Sequence, residues 1–384
     1  MTQSSAGQGE AMDPGGGDSM LLPVATEATV SVGGGPQRGE PAPAADARDA
    51  RRPTLDARSP RLGFLGVGWI GRNRLEAIVA DGSASVVAVA DASGEAVRAA
   101  CAAAPGAAPM SSLEALLELD LDGLVIATPS ALHADQARLA LEHGLAVFCQ
   151  KPLARTGEET REVIAAARDA DRLLGVDLSY RHTAGMHRVR ELLAAGELGD
   201  VYAVDLVFHN AYGPDKAWFR DPRLAGGGCV VDLGIHLVDL ALWSLDWPAV
   251  NGVTSRLYAQ GRLLGSAPAE VEDYAVAQVD LDGGAVLRLA CSWNLSAGRD
   301  AVIEAAFHGT RGGASFHNVN GSFYDFVAER YEGTRRTTLA EPPDAWGGRA
   351  AVAWARQLAR SHRFDPEVER LVAVARTLDA IYGR

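Results

Sequence analysis

Of the 36 Lys and Arg residues in this chain, only Lys151 and Lys216 are lysines. A compact ammonium whose pKa moves with its surroundings can do what an always-charged, forked guanidinium cannot. A lysine kept in such a background is therefore a candidate for proton and charge chemistry. Lys151 sits in Phe148–Pro152, FCQKP. The second stretch with chemical potential is Gly226–His236, GGGCVVDLGIH. Asp232 and His236 are four apart and on a helix share one face, with Leu233, Leu237, Leu240 and Ala241 as an opposing apolar stripe. Histidine suits proton transfer near neutral pH, and a carboxylate one turn away can orient the ring and raise its basicity. Spacing alone allows an ordinary surface pair equally well. Asp239 offers a third oxygen, but no outside ligand cluster accompanies it, so no metal site is expected.

The elements that must position these residues begin at Arg61. Leu62–Leu65 is a short apolar strand that runs into Gly66-Val67-Gly68-Trp69-Ile70-Gly71 and then a helical pattern to about Ala80. This is G-x-G-x-x-G in the strand–turn–helix setting that binds dinucleotides. Gly66 permits the tight turn, Gly68 lets a pyrophosphate approach the backbone, and Gly71 lets helix and strand pack closely. The helix start, with Trp69 and Ile70, offers free N–H groups to the phosphates. A second apolar strand, Val86–Ala90, ends in Asp91, placed to accept hydrogen bonds from the adenosine ribose and repel a 2′-phosphate, which favours NAD over NADP.

Strand and helix keep alternating. Helices are expected over Ser93–Ala104 and Ser111–Leu119, and a buried strand over Gly123–Ala127. Thr128-Pro129-Ser130 ends it, with Ser130 placed to cap a helix running to about His143. Leu145–Cys149 delivers Gln150, Lys151 and Pro152 to the carboxyl end of a strand, the edge where open α/β sheets bind ligands. Thr156 and Glu159 have capping-box spacing before the next helix, and Leu173–Leu178 closes the layer. Residues 61–180 thus read as a Rossmann domain with a doubly wound parallel sheet.

After Tyr180-Arg181 the pattern changes. A helix over about Gly185–Ala195, a strand over Val201–Phe208, an irregular loop over His209–Gly228 and a helix over about Val230–Leu245 follow. Hairpin signals at Asp282-Gly283-Gly284, Gly309–Gly313 and Glu332-Gly333 predict a largely antiparallel open sheet. Helical segments over Gly347–Ser361 and Pro366–Tyr382 close an α/β domain spanning residues 181–384. The loop is expected to wall a pocket, with Tyr212, Trp218 and Phe219 as stacking surfaces and Asn210, Lys216 and Arg220 within reach of hydroxyls or a carboxylate.

With 47% hydrophobic and 22% charged residues, the composition is that of a soluble globular protein. A net charge of −13 argues against a nucleic-acid partner or an anionic membrane surface. No apolar run is expected to reach membrane-crossing length, and the start of the chain lacks signal-peptide features. Cys101, Cys149, Cys229 and Cys291 are widely spaced, as reduced thiols of the cytoplasm would be. Residues 1–60, rich in Gly, Ala, Pro, Ser and Asp, are expected to be a disordered tail. Met12 and Met20 offer alternative translation starts.

From Arg61 onward the chain resembles the Gfo/Idh/MocA oxidoreductases, the glucose–fructose oxidoreductase and inositol 2-dehydrogenase family. The resemblance rests on GVGWIG, VIATPSALHADQARLALEHG, VFCQKP and AGGGCVVDLGIHLVDLALW, in that order. It implies an NAD-dependent dehydrogenase acting on a secondary alcohol of a sugar or polyol, with Lys151, Asp232 and His236 facing the nicotinamide. The cofactor would further be lined by Thr128, Pro129, Ser130, His133 and Gln150, and the substrate by Arg181, Asn210, Lys216, Trp218, Asp232 and His236. A cis Lys151–Pro152 bond and a homodimer or homotetramer through the C-terminal sheet are implied too. One departure stands out: the family's usual Glu is Gln150 here. That removes a negative charge beside Lys151 and eases loss of its proton unless another anion compensates. A redox-neutral NAD-dependent glycosidase or lyase, or a non-catalytic NAD-binding regulator, are the alternatives on the same fold.

Overall fold

The computed structural model describes residues 59–265 and 270–384. The expectation for residues 1–60 therefore lies, but for its last two positions, outside the described residues. The first layer alternates strand and helix: β1 (Arg61–Leu65), α1 (Trp69–Asp81), β2 (Ser85–Ala90), α2 (Gly94–Ala103), β3 (Ala108–Met110), α3 (Leu113–Leu117), β4 (Gly123–Ile126), α4 (His133–Glu142), β5 (Ala146–Cys149), α5 (Gly157–Asp169) and β6 (Leu174–Val176). The six strands are parallel in the order β3-β2-β1-β4-β5-β6. Their direction of winding reverses between β1 and β4, the switch point at which such sheets bind ligands. β4 and β5 are buried at every position, as parallel strands covered on both faces must be.

Three local expectations change. Edge strand β3 carries Pro109, a residue tolerated at a sheet edge because its missing N–H faces away from the ladder. Ser130 does not cap α4; Ser130–Leu132 forms a separate 3-10 turn with no side-chain cap. At α5, Thr156 accepts the Glu159 N–H at 3.1 Å, but Glu159 takes the Arg155 N–H at 2.9 Å instead of closing the box on Thr156.

The second layer comprises α6 (Ala184–Ala194), β7 (Val201–Asn210), α7 (Pro222–Ala225), a π-helical segment (Val230–Gly234) continuing into α8 (Ile235–Ser244), β8 (Val250–Ala259), β9 (Arg262–Leu263), β10 (Tyr274–Leu281), β11 (Val286–Ser292), β12 (Ala301–Gly309), β13 (Gly313–Asn318), β14 (Phe326–Glu332), β15 (Arg335–Ala340), α9 (Arg349–Leu358) and α10 (Leu371–Tyr382). The nine strands run β15-β14-β13-β12-β7-β11-β10-β8-β9, and only β7 and β11 pair parallel. Burial alternates along β10, because one sheet face packs on α6, α8 and α10 while the other is open. The stretch Pro222–Ser244, helical on either side of a bend at Gly226–Gly228, does meet the length and composition of a membrane span, contrary to the expectation. Its most apolar window has mean hydropathy 1.5 but is 83% buried inside the protein, as a core helix is.

The last helices return to the first layer. α9 lies on α1, and its Trp354 covers the face of β4, β5 and β6. A Cβ on Gly123 or Gly175 would stand 2.9 Å and 2.7 Å from the Trp354 ring, and Phe148 meets that ring at a centroid distance of 5.6 Å. The two glycines are the socket for the indole. Replacing Trp354 by Ala should destabilise the protein by ~3–5 kcal/mol through the cavity left behind, read as a loss in denaturant midpoint with unchanged slope.

Candidate active site

A cavity of about 930 Å³ runs from the glycine turn to the start of α8. At one end Gly66 has φ +85° and no room for a side chain, since a Cβ would fall 2.5 Å from the Ala127 carbonyl. A Cβ on Gly71 would fall 2.1 Å from the Gly66 oxygen, whereas nothing lies within 4 Å of one on Gly68. Gly66 and Gly71 therefore shape the turn, and the space at Gly68 is where a phosphate can approach. The α1 N-terminus has no side-chain cap and no acidic residue in its first turn. Asp91 ties this turn to the end of β2, accepting the Val67 N–H at 2.7 Å and the Ser93 N–H at 2.8 Å. A carboxylate oxygen accepts more than one bond, so both oxygens keep capacity for ribose hydroxyls. Trp69, Ile70, Thr128, Pro129, Ser130, His133 and Gln150 line the cavity as well. His133 is almost fully buried and bridges strand ends, 2.7 Å from the carbonyls of Thr128 and Pro152.

At the other end Lys151, which precedes a cis bond to Pro152, reaches across to the π-helical segment. Its Nζ donates to Asp232 Oδ1 at 2.8 Å and to the Asp232 carbonyl at 2.7 Å. Asp232 Oδ2 accepts the Trp293 indole N–H at 3.0 Å. The partner of Asp232 is thus Lys151 and not His236: the π-helical turn aims the carboxylate at the first layer. The His236 ring lies edge-on to Tyr180 at 4.9 Å, and its Nδ1 has no hydrogen-bond partner among the described residues. Burial, with the charges of Lys151 and Arg74, holds the His236 pKa well below its ordinary 6.5. Asp232 therefore does not raise the basicity of His236; the ring is neutral and able to accept a proton.

The start of the π-helical segment is docked on a residue with no sequence signal. Buried Glu272 accepts N–H bonds from Gly228 at 3.0 Å and Val230 at 2.9 Å, and the Tyr382 hydroxyl at 2.7 Å. A Cβ on Gly227 would meet the Tyr382 hydroxyl at 2.1 Å, and one on Gly228 the Glu272 carbonyl at 1.9 Å. The glycine run is a close-approach surface that lets Glu272 satisfy the helix's orphan donors.

The anion that compensates Lys151 for the missing glutamate is Asp232, and Gln150 itself is held by a different carboxylate. Its Nε2 donates to Asp177 Oδ2 at 3.0 Å, while its Oε1 accepts the Lys151 N–H at 2.9 Å. Asp177 is itself buried, paired with Arg74 at 2.5 Å and hydrogen-bonded by Ser179. A glutamate at position 150 would face the Asp177 carboxylate, so the amide fits where a second charge does not.

Other expected contacts are absent from the cavity. Arg181 pairs with buried Asp239, the residue considered as a metal ligand, and lies over Trp243 and Trp247. Asn210 accepts the Tyr212 N–H at 2.8 Å within its own loop. Lys216 and Trp218 do line the cavity, Lys216 beside Asp215 at 2.8 Å and Trp218 stacked on Phe219 at 3.8 Å. Tyr180, Phe323, Tyr324 and Trp346 complete that wall. Sequence reasoning missed them because they come from three separate segments. Among the described residues no group of His, Cys, Asp and Glu could hold a metal ion.

The sequence profile of the oxidoreductase family with an NAD-binding Rossmann fold matches residues 61–178, and that of the GFO/IDH/MocA C-terminal domain matches residues 186–315. The chain belongs to this family of oxidoreductases. Among curated relatives it is 30% identical over 294 residues to D-apiose dehydrogenase of Paraburkholderia graminis, covering 76% of this chain and 74% of the relative. It is also 30% identical over 210 residues to D-glucoside 3-dehydrogenase of Escherichia coli, covering 52% of this chain and only 60% of the relative. The crystal structure of GenD2 from gentamicin A biosynthesis, in complex with NAD, superposes with TM-score 0.70 at 27% identity over 84% of this chain and 93% of that one.

Gln150→Glu should lower both thermal stability and turnover, because a carboxylate would replace the donor to Asp177. Adding Asp177→Asn, which leaves the introduced carboxylate to pair with Arg74, should recover part of the loss. Simple additivity of the two single losses in a double-mutant cycle would disprove the coupling.

Proposed function

We propose that this protein is an NAD-dependent dehydrogenase acting on a secondary alcohol of a sugar or cyclic polyol. The observation that carries the reading is the convergence of Lys151, Asp232 and neutral His236 at the end of the cavity that begins at the glycine turn. Gly68, Trp69 and Ile70 would hold the pyrophosphate and Asp91 the adenosine ribose. NAD, when bound, supplies the hydride acceptor. His236 lines the cavity as a neutral ring and takes the hydroxyl proton. The Lys151 ammonium donates to the same oxygen and stabilises its developing charge. Asp232 holds that ammonium in place and accepts from a neighbouring hydroxyl. The carboxylate at position 91 supports NAD over NADP. Neither the glycosidase or lyase reading nor the regulator reading draws support from the relatives named above, two of them dehydrogenases. The open outer face of the nine-stranded sheet, where Asp205, Arg256 and Arg288 lie, supports a homodimer or homotetramer, and four free thiols support a cytoplasmic location.

Growth of reduced-nicotinamide absorbance when the protein is mixed with NAD⁺ and a panel of inositols, aldoses, sugar acids and amino sugars tests the reading. No growth with any of them, despite measurable NAD binding, would overturn it. Lys151→Ala and His236→Ala should each cut kcat by about 10²–10⁴-fold while leaving the NAD dissociation constant nearly unchanged. Because neutral His236 is the proton acceptor and its pKa is lowered, kcat/KM should fall on the acid side only well below pH 6.5. An acid limb at or above pH 6.5 would remove His236 from that role.

A further inference from the structure

The substrate end of the cavity is built from aromatic faces and cancelled charges. Trp218 and Phe219 stack with an interplanar angle of 21°, and Trp346 lies 5.1 Å from Tyr180 with their planes 30° apart. Tyr324, 57% exposed, stands at the rim. These rings come from the loop after β7, the 3-10 turn Ser179–His182, the β13–β14 connection and the approach to α9, so separate parts of the chain bring apolar faces to one place. Such faces suit the C–H face of a sugar ring, leaving its hydroxyls to polar groups at the edge.

Every cation lining the cavity already has a carboxylate. Arg74 pairs with Asp177 at 2.5 Å, Lys151 with Asp232 at 2.8 Å and Lys216 with Asp215 at 2.8 Å. Among the described residues no lining Lys or Arg is left over to neutralise a substrate carboxylate or phosphate. The first pair is buried and the second is part of the reacting site, so neither can be given up without leaving a charge uncompensated. The Lys216–Asp215 pair is solvent-exposed and held only weakly. It is the one place where a cation could be released.

Resting on the dehydrogenase reading, we propose that the substrate end admits an uncharged sugar ring and rejects the same ring carrying a carboxylate or phosphate. The neutral ring lies on the aromatic wall, and its hydroxyls meet Lys151, Asp232 and His236. An anionic ring can pair only with Lys216, which leaves the Asp215 carboxylate uncompensated beside it, and Asp232 repels it as well.

The test compares matched sugars: methyl glucoside with methyl glucuronide, and glucose with glucose 6-phosphate, together with the corresponding galactose and xylose series. Two readouts are needed, kcat/KM with NAD⁺ and quenching of tryptophan fluorescence in the NAD-loaded protein. In every pair that shows binding, the neutral member should lead by about a hundredfold, the discrimination expected from one uncompensated charge. Asp215→Asn, which frees Lys216, should narrow the gap. Equal or tighter binding of the anionic members would overturn the inference even if turnover is seen. Neutral-selective quenching without NAD⁺ reduction would uphold it while sinking the dehydrogenase reading. The absence of quenching by any neutral sugar would overturn it as well.

Discussion

The contact on which the site depends is the ion pair between Lys151 and Asp232. It joins the carboxyl end of a parallel strand to a helix of the second layer, and both side chains are largely shielded from water. At such a place the pair does three things together. It neutralises an ammonium that would otherwise be left in a poor solvent for charge. It fixes where that ammonium points. Held there, the ammonium of Lys151 also helps keep a proton off His236, since its charge adds to burial and to that of Arg74 in lowering the pKa of the ring. The roles proposed for Lys151 and His236 thus rest on one arrangement.

Each partner is held from behind by a different buried carboxylate. On the lysine side, Asp177 orders Gln150, and the amide then has only its oxygen left for the Lys151 N–H. On the helix side, Glu272 satisfies the backbone donors at the start of the segment that carries Asp232. Burial raises the pKa of Glu272, and the hydrogen bonds it accepts offset part of that cost. Neither carboxylate touches the ion pair itself. The geometry of the centre is imposed by backbone and amide contacts, which turn less freely than long charged side chains do.

Much of the first layer was legible because its signals are local. An unbroken apolar strand, a glycine turn and a carboxylate at the next strand end all lie within 31 residues, Arg61–Asp91. Lys151 and Asp232 were legible as chemistry, but their partnership was not, since it joins positions 81 residues apart and depends on a π-helical turn that four-residue spacing does not reveal. Arg181 shows the same limit: from the sequence it is a cation near a strand end, and only the fold brings Asp239 against it. Glu272 had no local signal at all, because the donors it serves belong to a glycine run 44 residues earlier. Edge strand β3 was hidden by its proline, which reads as a breaker until the strand is known to lie at an edge.

The indole of Trp354 has a bearing on how the molecule comes into being. Its socket is made by Gly123, Phe148 and Gly175, all present once the sixth parallel strand has been synthesised. The plug arrives only when the chain has passed through nine further strands. Until then the parallel layer has an uncovered apolar face under the strand that leads to Lys151. Emergence from the ribosome thus leaves the nucleotide-binding half waiting until every strand of the second layer has followed. The order in which this protein is made is not the order in which its layers close.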